Sequence, residues 1–235
     1  MSTAQQIAQD AEVAPVQPGE DEAPVVLDRR AILLWEIATF VVVMIGASAL
    51  HFAFELSDFY EPMAVFASVN ESTFEHLKIF FWPLLITALV EHAFIKGHVN
   101  NYWWGKAMAL VAMPIAIVIS FYFYLGIALP LTGTGYLALD IGTGAFGVVV
   151  ANIVAYRILT APEKGLAYRL LTAPEKGVVF RSAGLAIIAL LAVFMASIAF
   201  FPPEVFLFEN FFGYEYSGEF GILEDYTPYL VFTGR

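Results

Sequence analysis

Five apolar stretches, each near the roughly 20 residues that cross a bilayer, leave this chain little choice of fold. They run over about Ala31–Leu56, Glu71–Ile95, Tyr102–Leu129, Tyr136–Leu159 and Ser182–Phe201. In hydrocarbon a backbone must satisfy its own hydrogen bonds, and segments of this length do so as helices. The expected fold is all-α: an integral membrane bundle of five transmembrane helices. Composition agrees, since only 14% of the residues are charged against about 25% in soluble domains.

Basic residues set the orientation. Arg29 and Arg30 precede the first span. Lys96 and Lys106 flank the link between the second and third, and Arg157, Lys164, Arg169, Lys176 and Arg181 flank the link between the fourth and fifth. The other two links contain neither Lys nor Arg. The positive-inside rule then places the protein in the cell membrane as a multi-pass chain, N-terminus cytoplasmic and C-terminus extracytoplasmic.

Outside the spans the chain is acidic. Residues 1–28 are too poor in large apolar groups to offset ordering entropy, and read as a disordered cytoplasmic tail. They lack the basic start and cleavage site of a secretory signal, so the first span reads as an uncleaved anchor. Residues 29–201 form the transmembrane domain, and residues 202–235 an aromatic, acidic extracytoplasmic tail expected to fold over the outer helix ends. The inner link carries a tandem repeat, Tyr156–Ala167 followed by Tyr168–Val179. A local duplication that lengthened a surface loop explains it; the alternative is a basic amphipathic segment on the inner leaflet. A net charge of −11 argues against nucleic acid as a partner. With no cysteine, disulfides, thiolate metal sites and cysteine nucleophiles are excluded.

Chemistry concentrates in Asn70-Glu71-Ser72-Thr73-Phe74-Glu75-His76-Leu77-Lys78, at the start of the second span. An ionisable group at that depth is costly and marks a functional site by default. Asn70-Glu71-Ser72 followed by Glu75-His76 and Lys78, together with Phe201-Pro202-Pro203, Leu207-Phe208 and Phe220-Gly221, resembles an uncharacterised family of prokaryotic multi-pass membrane proteins of unknown function. The family's ending is Tyr-Gly in type where this chain has Phe220-Gly221. The resemblance extends over the five spans, without the N-terminal tail or the repeated loop. It implies the topology and the importance of the motif, and no activity.

Helical spacing puts Glu71, Glu75 and Lys78 on one face of the second span. His51 and Glu55 share a face near the outer end of the first, and Asp140 lies one turn into the fourth. An outer pocket of His51, Glu55, Asn70, Glu71, Glu75, His76, Lys78 and Asp140 follows. Its four carboxylates and one lysine carry a formal −3, which requires protons, water or a bound cation. His51, Glu55, Glu75 and His76 are the candidate ligands for a divalent Zn, Mn or Fe ion. Lys78 speaks against that metal, as its placement suits an intrahelical ion pair. Asn70 as N-cap, with Ser68-x-x-Glu71 in capping-box form, gives Asn70 and Glu71 a structural explanation.

An inner group holds Glu36, Glu91 and His92, with Lys96 and His98 at the surface and Pro83 midway. Asn152 reads as a helix–helix hydrogen bond. Gly142-Thr-Gly144-Ala-Phe-Gly147 matches a dinucleotide pattern but follows no strand, and small-residue helix packing explains it better.

Three functional classes remain open: binding or transport of a cation or proton; a metal-dependent intramembrane hydrolase or lipid-modifying enzyme; and a structural or accessory subunit. The bilayer is the first partner. A second copy of the chain or a membrane partner subunit is the other candidate.

Overall fold

A computed structural model describes residues 28–161, apart from 97 and 100, and residues 178–223, without the side chains of 178–180 and 212. The readings of residues 1–27, of most of the tandem repeat (162–177) and of the end of the tail (224–235) lie outside the described residues.

The described chain is mostly helical. Helix α1 spans Arg29–Leu56, α2 Thr73–Ile95, α3 Tyr102–Thr132, α4 Leu137–Leu159 and α5 Val178–Ser197. A 3₁₀ turn at Glu61–Val65 interrupts the link between α1 and α2. The tail adds what an all-α expectation omitted, an antiparallel hairpin of β1 (Glu209–Phe212) and β2 (Glu215–Phe220).

Among the described residues four helices, α1 to α4, are long and apolar enough to cross a membrane; five spans were expected. In α5, which runs Val178–Ser197, the residues described with their side chains, Arg181–Ser197, form a shorter apolar stretch. The helix closes at Ser197, whose carbonyl accepts from both Phe200 N–H and Phe201 N–H. Pro202 and Pro203 then bar its continuation to Phe201 and beyond.

Helices α1 and α2 pack together, as do α3 and α4, and α5 lies along α3. Glycines let α4 come close: a Cβ on Gly144 would sit 2.3 Å from the Phe80 ring of α2, and one on Gly147 2.3 Å from Ile117 of α3. The GxGxxG lookalike is thus a packing surface. Large apolar side chains cover the outward faces, among them Ile37, Val41 and Ile45 on α1 and Ile119, Phe123 and Ile127 on α3. A soluble domain does not tolerate so much contiguous apolar surface; hydrocarbon does.

Candidate functional site

The Asn70–Lys78 stretch forms the last turn of the α1–α2 link and the first turn of α2. The N-cap is Ser72, not Asn70: its hydroxyl accepts from Glu75 N–H at 3.3 Å. Asn70 instead ties loop to tail. Its Oδ1 accepts from Ser72 N–H at 2.8 Å, and its Nδ2 donates to Gly221 O at 2.7 Å. With Ser72 N–H already satisfied, the Glu75 carboxylate reaches past it and accepts from Val69 N–H at 3.0 Å. That carboxylate also pairs with Lys78 Nζ at 2.5 Å, and Lys78 donates to Ala64 O at 2.7 Å. Lys78 is fully buried and Glu75 nearly so. Their ion pair is therefore closed, every partner belonging to the loop it holds against α2.

Glu71 and His76 lead elsewhere. Because α2 begins at Thr73, Glu71 precedes the helix and does not share a helical face with Glu75 and Lys78. Its N–H donates to Asn210 Oδ1 of β1 at 3.0 Å, and its carboxylate lies 3.5 Å from His76 Nε2. His76 Nδ1 is 2.8 Å from Ser72 O. A carbonyl only accepts, so the Nδ1 proton is committed there, and in the neutral ring the Nε2 lone pair faces Glu71. Two electron-rich atoms at that distance need a proton or a cation between them.

His51 of α1 completes the group. Its ring centroid is 5.1 Å from that of His76, and one ligand atom each from His51, Glu71 and His76 lie within 4.8 Å of one another. Side chains of His76 and Glu71 are 34% and 29% exposed, enough for an ion to enter from water. Glu55, one turn further along α1, meets Glu71 as a like charge. Its Oε1 is buried with no hydrogen-bond partner among the described residues. So His51, Glu71 and His76 come together with Glu55 beside them, and Glu75 is spent on Lys78.

Asp140 lies in another cluster. It accepts from Tyr124 of α3 and, at 2.7 Å, from Tyr214 of the hairpin. Burial, then the hydrogen bond to Asp140, pushes the Tyr214 phenol up to about 12.

At the opposite end of the bundle Lys106 sits between two acids, 2.7 Å from Glu36 and 2.5 Å from Glu91. All three are at most 4% exposed. Lys106 is thus a core residue, not a link charge to be counted with Lys96 in the orientation. Asn152 Nδ2 donates to Glu36 O at 2.7 Å, the helix–helix bond expected of it.

One family model matches residues 29–222, from the first turn of α1 through the hairpin. The chain belongs to the DUF6512 family, a family of unknown function. No curated protein and no solved structure matches it. The DUF6512 match begins where the resemblance put it, after the acidic N-terminal segment, and it takes in both charged clusters and the hairpin that holds Asn70 and Glu71. Two residues of that region were missed as participants: Lys106, and Asn210, which positions Glu71. A lysine inside an apolar run was a visible signal for the first. The second has none in sequence, since Asn210 lies 139 residues from its partner.

Proposed function

We propose that this is a multi-pass membrane protein that binds a divalent cation at the outer surface through His51, Glu71 and His76, and that cation binding or transport is its function. The observation that supports this most is the His76 tautomer. Nδ1 is anchored on a backbone carbonyl, as metal-bound histidines are anchored, and Nε2 turns to a carboxylate 3.5 Å away. A tetrahedral ion with bonds of about 2.0–2.2 Å holds its ligand atoms roughly 3.4 Å apart. The Glu71–His76 pair already has that spacing, and a rotamer adjustment brings His51 in. Imidazole and carboxylate donors suit Zn, Mn or Fe. Glu55 supplies further negative charge, while the nearest lysine, Lys78, is neutralised by Glu75 and no longer opposes the ion.

A second reading, a metal-dependent hydrolase, draws on the same three ligands, because two histidines and one carboxylate with an exposed side leave a position for water. Metal analysis of purified protein, equilibrated with Zn, Mn and Fe salts and then desalted, tests both. One ion per chain is expected in the wild type, and its loss in His76→Gln and Glu71→Gln. A wild type that keeps no metal, or a metal retained by both variants, overturns the site. Hydrolysis of lipid or peptide by the loaded protein decides between the two readings.

A further inference from the structure

The cluster at the other end of the bundle has its own unmet requirement. Glu36 of α1, Glu91 of α2 and Lys106 of α3 meet within hydrogen-bond distance, at most 4% exposed. With every group ionised the triad carries a formal −1 in the helix core. Two buried carboxylates that share one cation cannot both stay charged unless something else compensates them.

Among the described residues the surroundings offer no second cation. Tyr102 of α3 places its ring 5.8 Å from Lys106 Nζ, and its hydroxyl reaches both Ala88 O and the Glu91 carboxylate, a neutral hydrogen-bonding group that adds no positive charge. Asn152 of α4 donates to the Glu36 backbone, not to its carboxylate. His92, next to Glu91, stacks on Trp103 with ring centroids 4.5 Å apart. No further cation pairs with either acid among the described residues. Beside the acids themselves, Thr39 Oγ1, one turn from Glu36 on the same face of α1, and Asn152 Oδ1 are buried with no hydrogen-bond partner among the described residues. Thr39 is itself only 2% exposed. An acceptor with no donor beside an acid pair short of one positive charge is what a carboxyl proton would satisfy.

We propose that the Glu36–Lys106–Glu91 triad is a proton-binding site, holding one exchangeable proton shared by the two carboxyl groups across the lysine. Protonation of either carboxylate brings the triad to zero charge. The proton belongs to the pair rather than to one residue. Glu75–Lys78 differs by stoichiometry: one acid and one base are already neutral. The triad is formed by residues other than His51, Glu71 and His76, so it stands whether or not a metal binds at those three.

Infrared spectroscopy of the full chain in lipid tests this through the carbonyl stretch of a protonated carboxyl group. The wild type at neutral pH is expected to show such a band, shifted by exchange into D₂O and fading as the pH is raised. Glu36→Gln and Glu91→Gln should each remove it, because Lys106 with one remaining acid is neutral. Glu75→Gln should leave it in place. A wild type with no such band, or a band that survives in both triad variants, overturns the proposal. If one triad variant fails to fold, the other suffices, since either substitution removes the shared proton; the wild-type titration needs neither.

Discussion

At the scale of single residues, one nine-residue motif does two jobs. Ser72 caps α2, Asn70 binds the tail, and Glu75 with Lys78 locks the loop; Glu71 and His76 alone turn to His51. Lys78→Met shows the difference. It leaves the Glu75 carboxylate buried with no cation, a defect that costs about 3–5 kcal/mol. A clear drop in melting temperature is expected in detergent, partly restored by Glu75→Gln in the same chain. Glu71→Gln, whose side chain is part-exposed, should shift it little. Equal melting of Lys78→Met and wild type would show that the pair does not hold the loop. Sequence made the motif visible but not which of its residues meet. The reason is a shift in the helix start. Spacing from Glu71 predicts one face for Glu71, Glu75 and Lys78, but with the helix beginning at Thr73 that periodicity stops short of Glu71. Asn70's real partner, Gly221, is 151 residues away and leaves no local trace.

At the scale of elements, hydropathy located α1 to α4 to within a few residues, because long apolar runs leave the backbone no other choice. It did not reveal the hairpin, whose short strands, Glu209–Phe212 and Glu215–Phe220, show no clean alternation. The hairpin turns on Gly213 and Tyr214, at φ 60° and 69°, the positive pair that a two-residue turn of the primed type requires. A tyrosine in that region is disfavoured by about 1–2 kcal/mol. Docking offsets it. The Tyr214 hydroxyl donates to Asp140, and its ring occupies the space beside Gly135, where a Cβ would come within 2.2 Å of it. The phenol, pushed up to about 12 from an ordinary 10.0, holds its proton more tightly docked than free. Its contribution is therefore complete below pH 10 and lost as the pH rises through about 12. Alkaline titration of melting temperature should show that loss in the wild type, and a flatter profile in Tyr214→Phe. Identical profiles would assign the alkaline transition to other groups.

At the scale of the whole molecule, the number of crossings is set by α5. Its Gly184 lies against the Trp103 backbone at the start of α3, and its Phe194 meets the Phe74 ring edge-on at the start of α2. Those two starts are at opposite ends of the bundle, and α5 reaches toward both. Its 20 residues rise about 30 Å, the thickness of the hydrocarbon core. Five crossings and a tail on the same side as the α1–α2 link are the expected topology, in keeping with the Asn70–Gly221 hydrogen bond. Removing Lys106 from the links keeps the charge asymmetry, since Arg29, Arg30 and Lys96 still lie at the other end. The chain has no cysteine, so single exposed substitutions report their side directly. In intact cells, Glu61→Cys and Ser217→Cys should both react with a membrane-impermeant maleimide, and His98→Cys only after permeabilisation. If Glu61→Cys and Ser217→Cys label from opposite sides, α5 does not cross. If both label only after permeabilisation, the crossings stand but the charge rule has been read backwards. The site of His51, Glu71 and His76 then faces the cytoplasm and draws its cation from there.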